Sequence, residues 1–273
     1  MPFLTVNSRR IEYKRIEAAH PADPTLVMLH EGLGSIAMWR DFPDWVAKAA
    51  RCNVLVYSRY GYGWSDPLTS SRAVDFMHEE ALQTLPALLE QLEISQPILL
   101  GHSDGASIAL IHAGGADRPV TGVIVMAPHV MVEDISITSI QAARQTYLTT
   151  DLRDKLSRYH ADVDSAFWGW NDIWLHPDFR AWNIEEYLPR IRCPILAIQG
   201  EDDEYGTLEQ IDRIARQAPD ADLLKLQDCR HSPHRDQPQA VITACAHFID
   251  RLRTLDGASG AGGWRQPGGL LEN

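Results

Sequence analysis

The sequence predicts an α/β protein in which a mostly parallel central sheet is flanked by helices and carries a helical cap insertion. Short apolar runs alternate with longer segments of helical periodicity along most of the chain. The runs are apolar at successive positions, as in strands that are covered by helices on both faces. One aromatic-rich segment interrupts this alternation and contains no clear strand. Strand–helix alternation of this kind implies right-handed crossovers between parallel strands.

The predicted strands begin with a β-hairpin over Phe3 to Ile16, where apolar and polar residues alternate on both sides of Asn7-Ser8. Six apolar runs follow the hairpin and are predicted to form the remaining strands. They are Leu26–Leu29, Val54–Tyr57, Ile98–Leu100, Val120–Met126, Ile195–Ile198 and Leu223–Leu226.

Helical patterns separate these runs. The segment Glu79–Leu92 places five leucines on one stripe, which predicts a helix. Thr207 and Gln210 have the spacing of a capping box that opens another helix. Pro238 is expected to open the last helix, whose buried face consists of Val241, Ile242, Cys245, Phe248, Ile249 and Leu252.

The aromatic segment spans residues 130–190 and is too long for a simple connection. We therefore predict a core domain formed by residues 1–129 and 191–255, with residues 130–190 as a helical cap over the carboxyl ends of the strands. Residues 256–273 are rich in glycine and are predicted to form a flexible tail.

Composition restricts the classes of partner. The chain has 273 residues, of which 45% are hydrophobic and 23% are charged, as in an ordinary globular protein. The formal net charge of −12 argues against binding to nucleic acid or to an anionic membrane surface. No apolar run is long enough to span a membrane. The expected partner is a small-molecule substrate.

The cysteines and the N-terminal segment favour a cytoplasmic location. Cys52, Cys193, Cys229 and Cys245 form neither a CxxC pair nor a zinc-ligand pattern, so free buried thiols are expected. The first residues lack the apolar region and cleavage site of a signal peptide.

The strongest chemical signal is the sequence Gly101-His102-Ser103-Asp104-Gly105, which follows a predicted strand and precedes a predicted helix. This is a G-x-S-x-G nucleophile elbow in its strand–turn–helix context. The sharp turn strains the serine backbone and places its hydroxyl at the tip, and glycines allow strand and helix to approach closely. Ser103 is the predicted nucleophile.

With this elbow, the chain resembles the α/β-hydrolase family over most of residues 3–255. Ser58 to Asp66 resembles the loop after the fourth strand of that family, where Ser58 replaces a frequent aspartate. Leu29 to Ser35 resembles the oxyanion loop, although Glu31 replaces a glycine. By position in that loop and at the elbow, the resemblance implies that the backbone N–H groups of Gly32 and Asp104 hold the oxyanion.

A serine nucleophile requires a base, and His231 is the predicted one. It follows the last predicted strand within a segment, HSPHRDQP, that resembles the histidine loop of the family. Its competitor is His234, three residues further on. The acid that orients the imidazole is expected to be Asp203, three residues after Gly200 as in the family pattern, with Asp134 as the alternative.

The sequence therefore predicts a serine hydrolase that cleaves a small carboxylic ester through an acyl-enzyme, without metal or cofactor. The alternatives are a hydrolase of carbon–carbon bonds in ring-cleavage products, a lactonase or perhydrolase, and a ligand receptor that keeps the fold. We expect the substrate pocket to involve Glu31, His129 and some of the cap tryptophans. The tryptophans considered are Trp168, Trp170, Trp174 and Trp182, which are also candidates for a small cap core.

Overall fold

The fold is built around an eight-stranded, mostly parallel sheet, as predicted, in a computed structural model that describes residues 1–20 and 22–260. The strand order is β1-β2-β4-β3-β5-β6-β7-β8, with antiparallel pairing of β1 with β2 and of β2 with β4. All other neighbours pair in parallel. The strands are β1 (Phe3–Val6), β2 (Arg9–Ile16), β3 (Thr25–Leu29), β4 (Asn53–Tyr57), β5 (Ile98–His102), β6 (Gly122–Met126), β7 (Ile195–Gly200) and β8 (Ala221–Leu226).

Helices cover both faces of this sheet. In β3, Val27 and Leu29 belong to one buried apolar cluster, whereas Leu26 and Met28 belong to a second cluster on the opposite face. The core helices are α1 (Phe42–Ala50), α2 (Phe76–Glu79), α3 (Leu85–Gln91), α4 (Asp104–Gly115), α8 (Glu209–Gln217), α9 (Pro233–Asp236) and α10 (Pro238–Gly260). Burial of both faces explains why the strands read as continuous apolar runs.

The aromatic segment is helical and joins the core between β6 and β7. Its α-helices are α5 (Asp134–Thr149), α6 (Leu152–Leu156) and α7 (Val163–Trp174), followed by 3₁₀ turns at Pro177–Ala181 and Glu185–Arg190. Its only β pairing among the described residues is an isolated bridge between Met131 and Asn183. We refer to residues 130–190 as the cap segment.

The first hairpin and the last helix form where the sequence predicts them. Asn7 and Ser8 have φ angles of 49° and 63°, which matches the left-handed backbone of a two-residue hairpin turn. Helix α10 begins at Pro238, and all six residues of its predicted apolar face are buried. It continues to Gly260, so the first part of the predicted tail is helical, and residues 261–273 lie outside the described residues.

The helix predicted over Glu79–Leu92 is confirmed with one local irregularity, whereas a predicted capping box was wrong. The helix predicted over Glu79–Leu92 contains a π-helical turn at Glu80–Thr84, because Pro86 has no N–H to donate and its ring crowds the carbonyl four residues earlier. The predicted capping box at Thr207 does not form. The Gln210 side chain instead accepts a hydrogen bond from the backbone N–H of Val130 at 2.7 Å and donates one to the backbone oxygen of Met131 at 3.1 Å.

The cysteines do not form disulfides in the described residues: Cys52, Cys229 and Cys245 are buried thiols, and Cys193 is half-buried. None of the described helices combines the length and apolarity that a membrane crossing requires.

Candidate active site

Ser103 occupies a strained turn between β5 and α4. Its φ and ψ angles are 52° and −120°, a backbone conformation that a residue with a side chain adopts only at a cost. A Cβ atom on Gly101 would lie 2.3 Å from the backbone oxygen of Gly105, and one on Gly105 would lie 2.1 Å from the backbone oxygen of Leu29. Glycine at both positions thus allows the helix to start directly against the strands, with Ser103 at the tip.

His231 and Asp203 complete a chain of hydrogen bonds that begins at Ser103. His231 Nε2 lies 3.0 Å from Ser103 Oγ, and His231 Nδ1 lies 2.8 Å from Asp203 Oδ1. A carboxylate accepts hydrogen bonds, so Nδ1 carries the proton and Nε2 is free to accept from the serine hydroxyl. Asp203 follows β7 and His231 follows β8, so both side chains reach Ser103 from the carboxyl ends of neighbouring parallel strands.

Electrostatic coupling within this pair keeps the imidazole basic. Burial alone would lower the pKa of His231, but the charge of Asp203 and its hydrogen bond outweigh burial, and the pKa is raised. Burial likewise opposes ionisation of Asp203, whose pKa is nevertheless lowered by the charge of His231 and the hydrogen bond between them. The second oxygen of Asp203 accepts a hydrogen bond from Gln199 at 3.1 Å. This arrangement holds the carboxylate ionised and the imidazole oriented.

The alternative base, His234, and the alternative acid, Asp134, lie away from Ser103. His234 is buried against Trp39 and Phe42, with ring centroids 4.9 Å and 5.3 Å away, and neither of its nitrogens has a partner in the described residues. Asp134 starts α5 of the cap segment, where its exposed carboxylate forms an ion pair with Arg180. Neither residue contacts Ser103 or His231 through a hydrogen bond or ion pair in the described residues.

Two backbone N–H groups beside Ser103 are available to an anion. Asp104 is the first residue of α4, and Gly32 lies in the loop after β3. Within the described part of the chain, neither N–H donates a hydrogen bond. The helix dipole adds a partial positive charge at the Asp104 end. These donors could stabilise negative charge on a carbonyl oxygen attacked by Ser103.

Glu31, the unusual residue of this loop, faces the active site from beside Gly32. Its Oε2 lies 3.5 Å from His102 Nδ1, and its Oε1 lies 3.8 Å from a nitrogen of Arg235. Burial acts to raise the pKa of Glu31, but His102 and Arg235 lower it well below its ordinary value. His102 in turn donates from Nε2 to the backbone oxygen of His231 at 2.7 Å. Glu31 is thus an anion that connects the loop after β3 to the loop carrying His231.

A cavity of about 200 Å³ opens over Ser103. The predicted pocket residues Glu31, His129, Trp170 and Trp174 line it, together with Leu33, Ile140 and Tyr205. The structure does not bring Trp168 to this cavity: its ring faces Arg144 and lines a separate groove between the cap segment and the loop near Arg72. Trp182 stacks on Phe179 inside the cap segment. No metal-ligating group of three or more side chains occurs in the described residues.

The sequence did not predict two residues that hold the loops around the site, because a single Arg or His carries no recognisable motif. Arg59 is buried and donates to the backbone oxygens of His30 at 3.3 Å and Glu31 at 2.9 Å, which holds the loop after β3. His160 of the cap segment accepts from the backbone N–H of Gly63 at 3.0 Å and donates to the backbone oxygen of Leu33 at 3.0 Å. Only the fold brings these partners, which are distant in sequence, together.

Comparison with known proteins identifies the family. A sequence profile described as "Alpha/beta hydrolase family" matches residues 26–244, which is most of the chain and includes Ser103, Asp203 and His231. The chain therefore belongs to the α/β-hydrolase family.

Individual relatives are distant. The chain is 25% identical over 262 residues to the "Putative carbamate hydrolase RutD" of Caulobacter sp. (strain K31), covering 87% of this chain and 95% of that protein. The fold is similar to that of MGS-M2, an α/β-hydrolase enzyme from a Medee basin deep-sea metagenome library. That match has a TM-score of 0.71 and 21% identity over 91% of this chain and 97% of the other. The enol-lactonase from Burkholderia xenovorans LB400 matches with a TM-score of 0.74 and 18% identity, over 91% and 100% of the two chains.

Proposed function

We propose that this chain is a serine hydrolase that cleaves small carboxylic esters through an acyl-enzyme on Ser103. The observation that carries the proposal is the pair of hydrogen bonds from Ser103 Oγ to His231 and from His231 to Asp203, at 3.0 Å and 2.8 Å, at the base of a cavity. A serine hydroxyl becomes a nucleophile when an adjacent base accepts its proton, and here the base is itself oriented by a carboxylate.

The reaction proceeds in two steps. His231 Nε2 accepts the proton of Ser103 Oγ as Oγ attacks the ester carbonyl, and the N–H groups of Gly32 and Asp104 stabilise the oxyanion. His231 then passes the proton to the departing alcohol, which leaves the acyl group on Ser103. In the second step His231 removes a proton from water, water attacks the acyl carbonyl, and the acid leaves as Ser103 recovers its proton.

The size and charge of the cavity favour a small ester over a carbon–carbon substrate. A volume of about 200 Å³ accommodates an acyl group of a few carbons with a compact alcohol. The carboxylates of Glu31 and Glu204 lie in its wall. Oxidative cleavage of an aromatic diol leaves a carboxylate on the product, and that anion would face these side chains with no Lys or Arg among the lining residues of the described cavity.

A carbamate is the second candidate. The curated relative at 25% identity is described as a putative carbamate hydrolase. A carbamate carbonyl would meet the same nucleophile, base and oxyanion donors. A panel that includes ethyl carbamate beside ethyl butyrate separates the two substrate classes by their relative kcat/KM.

The test is hydrolysis of p-nitrophenyl acetate, butyrate and octanoate by the purified protein and by the Ser103→Ala variant. We expect turnover of the two short esters, a marked decline with octanoate, and a loss on the order of 10⁴-fold or more in Ser103→Ala. A fluorophosphonate should add once to the wild type and not to the variant, as read by intact mass. If Ser103→Ala kept a tenth of the activity, Ser103 would not be the nucleophile. Labelling without turnover of any substrate would favour the receptor alternative.

A further inference from the structure

The imidazole of His129 is a buried group of the cavity wall that the reaction as derived does not use. It follows β6, is 2% exposed and lines the cavity over Ser103. Its ring centroid lies 5.8 Å from that of His231. Nδ1 is buried without a hydrogen-bond partner, and Nε2 also makes no hydrogen bond within the described part of the chain. Nδ1 has no accessible surface, so Nε2 is the ring nitrogen that a ligand in the cavity can reach, and it is free to form a hydrogen bond there.

The ring is held firmly in this position. Ser107 Oγ donates to the backbone oxygen of His129 at 2.6 Å and accepts from its N–H at 3.3 Å. The imidazole meets the Trp174 indole edge to face, with centroids 5.0 Å apart. Two residues earlier, Ala127 has a φ of 47°, a left-handed conformation that is costly for alanine and that turns the chain after β6. The strained turn and both contacts fix the imidazole at the cavity wall.

The imidazole is uncharged at neutral pH. Burial, reinforced by the charge of His231, lowers the pKa of His129 to about 3. A neutral imidazole has one N–H donor and one acceptor nitrogen, so it can bind a hydroxyl, a carbonyl or an amide.

The surroundings argue against a charged ligand group at this point. Among the described lining residues there is no Lys or Arg to pair with an anion, whereas the carboxylates of Glu31 and Glu204 lie in the wall. A cation would lie beside His231, which becomes positively charged when it accepts the serine proton. Both carboxylates also have cationic neighbours already, because Glu31 lies 3.8 Å from Arg235 and Glu204 lies 3.1 Å from Arg230. An uncharged polar group is therefore the partner that suits both the ring and its surroundings.

We propose that His129 is a specificity-determining residue that hydrogen-bonds an uncharged hydroxyl group of the substrate, close to the scissile bond. The substrate class is then a small polar ester, such as a hydroxy ester, rather than a simple alkyl ester. This inference rests on the proposed function for the position of the scissile carbonyl, which must lie next to Ser103.

The test uses two pairs of esters that match in shape and differ by one hydroxyl. Ethyl 3-hydroxybutyrate and ethyl 3-methylbutyrate place the difference in the acyl chain, and 2-hydroxyethyl butyrate and propyl butyrate place it in the alcohol. For each pair the ratio of kcat/KM is measured in the wild type, in His129→Leu and in His129→Asn. Asn and Leu have similar shapes, but only Asn can form the hydrogen bond. Intrinsic reactivity differences between the esters cancel when the ratios are compared between proteins.

We expect that His129→Leu reduces the preference for the hydroxylated ester about tenfold in at least one pair, and that His129→Asn keeps part of it. A purely structural role would depress both esters of a pair alike and leave the ratio unchanged. Unchanged ratios in both pairs, or equal ratios for the Leu and Asn variants, would overturn the proposal. If His129→Leu fails to fold, His129→Phe takes its place, because it keeps an aromatic ring against Trp174.

Calorimetric binding to Ser103→Ala provides a readout that does not need turnover. The favoured hydroxylated ester should bind about tenfold more tightly than its alkyl partner, and the added His129→Leu change should remove that margin. If the hydroxylated ester binds more tightly than its alkyl partner but the wild type turns over neither ester, the proposed ester hydrolysis is contradicted and the role of His129 stands. If both esters are turned over and do not differ in affinity or in kcat/KM, only the role of His129 is contradicted.

Discussion

Replacing Gly32 by alanine should displace the loop after β3, the proposed oxyanion loop, through a single clash with the cap segment. A Cβ atom on Gly32 would lie 2.2 Å from both Cδ1 and Nε1 of Trp170, whereas ordinary contacts begin at 3.4 Å. Either the indole or the loop must therefore move by about 1 Å, and a displacement of that size at a catalytic group can cost on the order of 10²-fold in rate. The φ angle of Gly32 lies outside the left-handed region, so the backbone itself tolerates alanine.

The loop has little freedom to avoid this clash elsewhere. The backbone oxygen of Glu31, next to Gly32, accepts a hydrogen bond from the buried Arg59 at 2.9 Å, and Trp170 is itself 7% exposed. We expect kcat/KM of Gly32→Ala for p-nitrophenyl butyrate to fall about 10²-fold. The free energy of unfolding should fall by about 1–3 kcal/mol, as for other overpacked sites.

A double variant separates the clash from any other effect of the methyl group. Trp170→Leu removes the ring atoms that the new methyl group meets, so Gly32→Ala/Trp170→Leu should recover at least tenfold in kcat/KM over Gly32→Ala, with Trp170→Leu alone as the control. The reasoning is refuted if Gly32→Ala keeps more than a third of the wild-type rate. A double variant as slow as Gly32→Ala would also refute it.

Three further predictions concern the acid, the base and acid stability. His231→Ala should lose activity on the order of 10⁴-fold while His234→Ala is mild, and the opposite order of kcat values would overturn the assignment of the base. Asp203→Asn should slow turnover on the order of 10⁴-fold without unfolding the chain, because an amide cannot stabilise the imidazolium, whereas Asp134→Asn should be nearly silent. Burial lowers the pKa of His160 to about 4, so only the unfolded chain binds its proton between pH 6.5 and 4. Stability should therefore fall across that window, by about 3 kcal/mol at most from this residue. Urea unfolding at several pH values measures the slope, which His160→Gln should make shallower if the reasoning holds.

The sheet could be predicted because local patterns report burial. Strands covered on both faces are apolar at successive positions, so each apolar run marks a strand whatever its neighbours are. The order β1-β2-β4-β3-β5-β6-β7-β8 was not readable in this way, because strand pairing depends on contacts between residues far apart in the chain.

The capping box that does not form shows where tertiary contacts override a local signal. Gln210 has capping-box spacing to Thr207, but its amide is drawn to the backbone of Val130 and Met131 at the start of the cap segment. The leucine stripe of Glu79–Leu92 is compatible with a regular helix. Within its π-helical turn, the backbone oxygen of Ala81 accepts a hydrogen bond from His112 Nδ1 at 2.7 Å, a contact that no helical periodicity reveals.

The sequence by itself determined the residues that carry the proposed chemistry. The elbow around Ser103 is a local structure, since a strand, a strained turn and a helix start are encoded within a few residues. Asp203 and His231 follow strands, so their place at the carboxyl edge of the sheet was predictable from the alternation of strands and helices.

The tertiary structure alone decided which side chains surround the substrate. The tryptophans of the cap segment are alike in sequence, yet Trp170 and Trp174 line the cavity while Trp168 faces Arg144 on another side of α7. Likewise, nothing near His129 in the sequence shows that its imidazole lies in the cavity wall without a hydrogen-bond partner. These outcomes depend on how a helix packs across the sheet, because burial and hydrogen bonding are properties of all the neighbours together and not of one segment.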